Sequence, residues 1–270
     1  MSGIYPDGVT QADIDRAAGG EDQPECDGCA FCGADSQEDC QHDCECGSCE
    51  WRRTMSNVSR PELTAPERIK RLPVDDRGYP VPWFVAWKDG QPEFRAADRD
   101  KYVRAIKEKR CWVCGDPLGV NVAFIAGPMC GINRTSSEPP SHYDCAKWSA
   151  INCPFLNNPQ MVRREDALIN NARLREETPG CAIARNPGVT MLWITRQYEI
   201  FNDGKGQPLI HMLEPQRVEW YANGREATRA EVQASIDSGL PALEAIAQTE
   251  RGALDVLKKY VERFQKWIPE

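Results

Sequence analysis

The stretch "CWVCG" at residues 111–115 is answered by "SHYDCAKWSA" at residues 141–150. A C-x2-C pair followed at a distance by an H-x2-C pair supplies four ligands of the kind that hold a zinc ion in a tetrahedron. Behind Cys111 and Cys114, Gly115 lets the backbone amides turn toward the thiolates. Pro139 and Pro140 stop regular structure, and Ser141 is placed to cap a helix running from about His142 to Asn152. Positions i and i+3 of a first helical turn face one way, so His142 and Cys145 can reach one ion. The positive end of the helix dipole favours a thiolate at Cys145. The expected ligands are therefore Cys111, Cys114, His142 and Cys145, and the expected ion is one structural Zn2+. Cys130 and Cys153 lie close by in sequence, and either could replace His142 as the fourth ligand; otherwise both pack as small hydrophobes. Cys181 reads as buried and inert.

Knuckle, hairpin, then a helix presenting two ligands from its first turn: over residues 109–153 this order resembles a treble-clef zinc finger. Around it the chain reads as α+β. "YPVPWFVAW" and "KDGQPEFR" meet at Asp89-Gly90, a hairpin turn signal. "DRDKYVRAIKEKR" is a short helix with Tyr102, Val103 and Ile106 on one face, and "VNVAFIAG" is a strand. "GVTMLWITRQYEIF" reads as a pair of strands, "NDGKGQ" as a turn into "PLIHML", and "RVEWYANGREA" as a strand with an Asn-Gly turn. Thr228 and Glu231 form a capping box whose helix is expected to end at Gly239. Pro241 then suits the first position of a last helix, whose apolar stripe runs from Leu243 to Ile268. Most of the eight tryptophans sit in apolar runs and read as core.

Charge divides the chain differently. Residues 1–54 carry a balance of −10, whereas the rest stands at +2 within an overall −8. The first 25 residues are polar and without period, and read as disordered. Between them and Trp51 lie Cys26, Cys29, Cys32, Cys40, His42, Cys44, Cys46 and Cys49, eight potential ligands in a segment too short to bury a core. They suit one or two further zinc ions; Cys26, Cys29 and Cys32 also resemble part of an iron–sulfur run that lacks its fourth Cys-Pro. The competing reading is a redox-sensitive disordered tail. The expected domains are an acidic Cys-rich head at 1–54 and a linker at 55–71. Then come a hairpin, helix and finger domain at 72–157, and antiparallel strands with C-terminal helices, packed on it, at 158–270. The sequence carries no long apolar run for a membrane span and no secretory leader, and thirteen cysteines without one point to a reducing cytoplasm and to metal rather than disulfides.

Catalytic motifs are scarce. "DGKGQ" lacks the phosphate-loop pattern, and no G-x-S-x-G occurs. A treble-clef nuclease of the HNH kind needs a histidine base and further ligands for a divalent metal, yet the three histidines are His42 in the head, His142 in the zinc set and His211 in an expected strand. A third possibility is an acidic inhibitor or decoy acting through the head. Binding is the simpler reading. "APERIKRLP" (65–73), "KYVRAIKEKR" (101–110) and "MVRRED" (161–166) bring bases near the finger, which would suit nucleic acid, although a solvated face of ion pairs explains them as well.

The combination of "RLPVDDRGYPVPWFVAW", "CWVCGDPLG", "GPMCGINRTSSEPPSHYDCA", "CPFL" and "GREATRAEVQASIDSGLP" resembles an uncharacterised family of bacteriophage and bacterial proteins across residues 71–241. That resemblance implies a phage or prophage setting and the host cytoplasm. It implies no activity, and it leaves out the Cys-rich head. The expected role is that of a non-catalytic, zinc-stabilised accessory protein that binds a macromolecule, either nucleic acid or a host or phage protein.

Overall fold

The computed structural model describes residues 65–157, 186–202 and 208–270. These belong to one compact unit, Thr64–Glu270. The eight ligands expected in the head, Cys181 and the basic "MVRRED" stretch lie outside the described residues.

Strand β5 (Thr190–Thr195) explains the architecture. Every residue of "TMLWIT" is buried, as expected of a strand covered on both faces. Its neighbours in a four-stranded antiparallel sheet are β3 (Val122–Ala126) and β8 (Arg217–Ala222), and β8 pairs in turn with β9 (Arg225–Glu226). Because side chains alternate across a sheet, the three buried strands feed two cores. Phe124, Met191, Trp193 and Trp220 enter the larger one; Ala123, Leu192, Ile194 and Tyr221 enter the smaller.

The larger core is closed by helices α3 (Pro128–Asn133), α6 (Arg229–Ala247) and α7 (Ala253–Phe264). The smaller is closed by α4 (Tyr143–Asn152), which lays Ala146, Ala150 and Ile151 on the sheet. The Tyr143 hydroxyl donates to both carboxylate oxygens of Glu219 on β8 at 3.1 Å, fixing the helix at its first turn. A second sheet runs β4 (Thr135–Ser136), β7 (Pro208–Met212), β6 (Tyr198–Asn202), and the hairpin β1 (Val85–Lys88) with β2 (Gln91–Ala97) forms a third. Helix α1 (Glu67–Lys70), α2 (Arg99–Lys107), the short α5 (Pro154–Asn157) and a 3-10 turn (Gln265–Trp267) complete the described elements.

The antiparallel α+β reading holds, and so do the two turn signals: Asp89-Gly90 and Asn223-Gly224 have positive φ at both positions, the backbone that tight hairpins demand. Several expectations are corrected. The strands read as a pair in "GVTMLWITRQYEIF" belong to different sheets, β5 pairing with β3 and β8, and β6 with β7. One sheet joins β3 to β5, so it crosses the division expected at 157/158. The stretch expected as linker to residue 71 contains α1, whose Ile69 is fully buried. Helix α2 buries Ala105 and leaves Val103 exposed. Trp87 is 45% exposed rather than core.

The capping box of Thr228 and Glu231 opens α6, but the helix does not end at Gly239. It passes through Gly239 and Pro241 to Ala247, and the chain breaks only at Gly252, whose φ is +80°. A proline forfeits one helical hydrogen bond. Here Val232, Ile236, Gly239 and Leu243 form a continuous buried stripe on both sides of it, and packing outweighs local propensity.

Replacing Thr228 by Ala should lower stability by about 1 kcal/mol in urea denaturation. The Glu231 carboxylate is held down to about 2 by Arg225 and by the Thr228 amide and hydroxyl. A depressed carboxylate contributes fully above its ordinary pKa and loses that contribution as pH falls through the folded value. The stability gap between wild type and Glu231→Gln, measured by denaturation at several pH values, should therefore be full above about pH 4.5 and close progressively toward about pH 2.

Candidate metal centre

The knuckle is built by its own backbone. The Cys111 amide donates to the Asp116 carbonyl at 2.8 Å and the Gly115 amide to the Cys111 carbonyl at 2.9 Å, while Arg110 and Pro117 form a bridge at the open end. The Cys114 amide points at Cys111 Sγ, 3.4 Å away. Gly115 is required twice over. Its φ is +77°, a conformation that L side chains rarely adopt. A Cβ there would also lie 2.7–2.8 Å from the Trp83 ring.

The second pair approaches from α4. Ser141 does not cap the helix; its amide and carbonyl exchange 2.8 Å bonds with Ala123 of β3. His142 is the N-cap residue, in extended conformation with no side-chain cap bond. That frees its imidazole. Nδ1 stands 3.4 Å from Cys114 Sγ, and Nε2 stands 3.0 Å from the Pro117 carbonyl. A proton on Nε2, donated to Pro117, leaves the Nδ1 lone pair facing the thiols, the arrangement that orients a histidine ligand. The His142 amide also points at Cys111 Sγ at 3.4 Å. Cys145, three residues on, is fully buried. The Trp112 amide donates to the Pro140 carbonyl at 3.1 Å, tying knuckle and helix entry together.

The three Sγ atoms and the His142 ring nitrogen all lie within 4.8 Å of one another. A tetrahedron with metal–sulfur bonds near 2.3 Å has edges of about 3.5–3.8 Å, so the four residues are close enough to hold one metal ion. The expected set is brought together whole. Cys130 and Cys153 do not belong to this group. Cys130 sits on α3 against the larger core, where burial pushes its thiol up to about 11. Cys153 follows α4, and burial pushes it up likewise.

Burial would raise the Cys111 thiol, but hydrogen bonds from Cys114, Cys145 and His142 outweigh it and hold Cys111 far below its ordinary value. The bonds from Cys111 and then Cys114 push His142 up to about 10. Cys145 is raised by its bonds to Cys111 and Cys114. Negative charge is thus favoured on sulfur and a compensating proton on the ring. A metal held by these four side chains would displace those protons.

Ile69, Cys111, Val113, Cys114 and Cys145 form a third small core, with Leu118 and Trp148 packed against it. Ile69, Trp83 and Pro117 were not singled out in the sequence. Each acts through apolar cover or a backbone carbonyl, which carry no ligand signature. Comparison with family models, with characterised proteins and with solved structures finds no match to this chain.

Gly115→Ala should unsettle the knuckle while leaving all four ligands present. We expect a loss of about 1–2 kcal/mol from the left-handed backbone alone, enlarged by the Trp83 clash. A lowered thermal midpoint with weakened metal retention against a chelator would show it.

Proposed function

We propose that Cys111, Cys114, His142 and Cys145 hold one structural Zn2+, and that this chain is a non-catalytic, zinc-stabilised accessory protein that binds a macromolecule. The observation that carries the reading is the closed donor set: three thiols and one imidazole converge, and the remaining imidazole nitrogen is taken by Pro117. Zinc is suited by thiolates and imidazole alike, and a closed tetrahedral set of three Cys and one His is one of its usual structural sites. Four protein ligands leave no position for a reactive water, which separates structural from catalytic zinc. We read the segment as a treble-clef variant in which α3 stands between β3 and the ligand-bearing helix.

A metal-dependent nuclease would need a second cation site. Among the described residues, His211 belongs to no group of three potential ligands, nor do any residues beyond the four named. For the partner, the charges favour protein over nucleic acid. Arg68 pairs with Asp144 at 3.5 Å, Lys70 with Glu67 at 2.6 Å, Arg71 with Asp116 at 2.6 Å and Arg104 with Glu108 at 3.2 Å, so much of the base content near the finger is neutralised. The β1–β2 hairpin meanwhile exposes Trp87 and Phe94 by 45% and 41%, the aromatic type enriched in protein interfaces. The phage or prophage setting and a host-cytoplasmic location are part of this proposal; among the described residues, no helix is long and apolar enough to cross a membrane. An inhibitor acting through residues 1–54 would differ in losing its activity when they are removed.

Elemental analysis and calorimetry test the metal. Cys111→Ser should carry one zinc fewer per chain than wild type and melt at a much lower temperature, because binding and folding free energy are coupled. Cys130→Ser and Cys153→Ser should retain the full zinc content. Cobalt substitution should give the intense absorption of a tetrahedral thiolate site. Unchanged zinc in Cys111→Ser, or a cobalt spectrum showing a bound water, would defeat the structural reading.

A further inference from the structure

A cavity of about 110 Å3 lies on the side of the sheet opposite α4, away from the cysteine cluster, and its lining contains Arg134, Arg263, His211, Trp193 and Trp267. That lining holds two arginines and a histidine and no carboxylate. Arg134 is the C-cap of α3 in left-handed conformation, φ +53°, which is uncommon outside glycine. Its carbonyl accepts from the Met212 amide at 2.7 Å, next to His211 on β7, and its guanidinium lies over the Trp193 ring at 5.8 Å. Glu214 pairs with Arg134 but is shared with Lys266 at 2.7 Å, so the triad keeps one net positive charge. Arg263 adds a second. Neither the Arg263 nor the His211 side chain has a hydrogen-bond or ion-pair partner among the described residues. The buried Trp267 indole N–H has no acceptor among the described residues either.

Bases at helix C-termini also complement the helix dipole, and Arg134 and Arg263 both stand at such ends. The dipole accounts for each arginine on its own helix. It does not account for their meeting in one cavity with a histidine. Pockets for drug-sized ligands run to about 300–1,000 Å3, so this one has room for a single small group. Glu199, opposite His211 in the β6–β7 register, offsets one of these charges, and the remaining positive charge with the arginine N–H donors suits an anion with several acceptor oxygens.

We propose that this cavity binds a phosphate group, either free inorganic phosphate or the terminal phosphate of a small phosphomonoester. The site is independent of the metal centre. It uses arginines for fork-like donation to the oxygens and the Trp193 and Trp267 rings as the apolar wall.

Isothermal titration of the full chain at fixed ionic strength tests it, with inorganic phosphate and phenyl phosphate as probes and chloride as the control anion. Saturable binding at one site per chain is expected for phosphate and not for chloride. Arg263 is exposed, so Arg263→Gln should keep the wild-type melting temperature and weaken binding about tenfold, the scale of one charged hydrogen bond. His211→Ala should weaken it too, and Lys258→Gln on the exposed face of α7 should not. Tighter binding of phenyl phosphate than of phosphate identifies a phosphomonoester, and the reverse identifies the free ion. Absence of saturable heat with both probes overturns the proposal. So does binding that Arg263→Gln leaves intact, or that Lys258→Gln weakens equally.

Discussion

Helix α4 must satisfy two partners at once, and the arrangement of the rest follows. Its Ala146–Ala150 face needs a sheet against it, and small residues there let the helix backbone come close. Its Cys145–Trp148 side needs the knuckle. Neither contact tolerates rotation of the helix, because a turn of one residue, about 100°, would move Cys145 out of the cluster and Ala146 off Leu192. Tyr143 on Glu219 and His142 beside Cys114 fix that rotation at the first turn. The four clustered side chains are therefore also the register marks by which the N-terminal hairpin region is attached to the central sheet.

How much of this could be read beforehand depended on the range of the interaction concerned. The convergence of the four cluster residues was legible because metal chemistry restricts residue type and spacing, and the two hairpin turns because Asp-Gly and Asn-Gly restrict φ. The capping box was legible for the same local reason. Pairing was not. Nothing between Met191 and Phe201 says that β5 takes β3 and β8 while β6 takes β7; that is settled by which faces are buried. Gly239 and Pro241 formed a sound local stop signal, overruled by a stripe whose value appears only once the larger core exists. Ile69 was hidden inside a basic, proline-flanked stretch, where one apolar residue carries no periodicity. The cavity beside His211 was illegible for a further reason: its residues come from α3, β5, β7, α7 and the chain after α7, and are not neighbours in sequence.

The pairing of β3 with β5 has a consequence for the order in which the chain takes shape. All four ligands, and Ile69 and Trp148 around them, are synthesised before Thr190 exists. On the ribosome the knuckle and the start of α4 can meet over a loop of modest length, whose closure an ion would stabilise. The sheet that α4 rests on must wait for β5 and then β8, contacts between distant parts of the chain that form late. During that interval the sheet-facing alanines of α4 have only β3 for cover. A nascent chain whose cluster has closed would carry a finished N-terminal half and a partly open apolar face, and the timing of β5 decides how long a chaperone has something to hold.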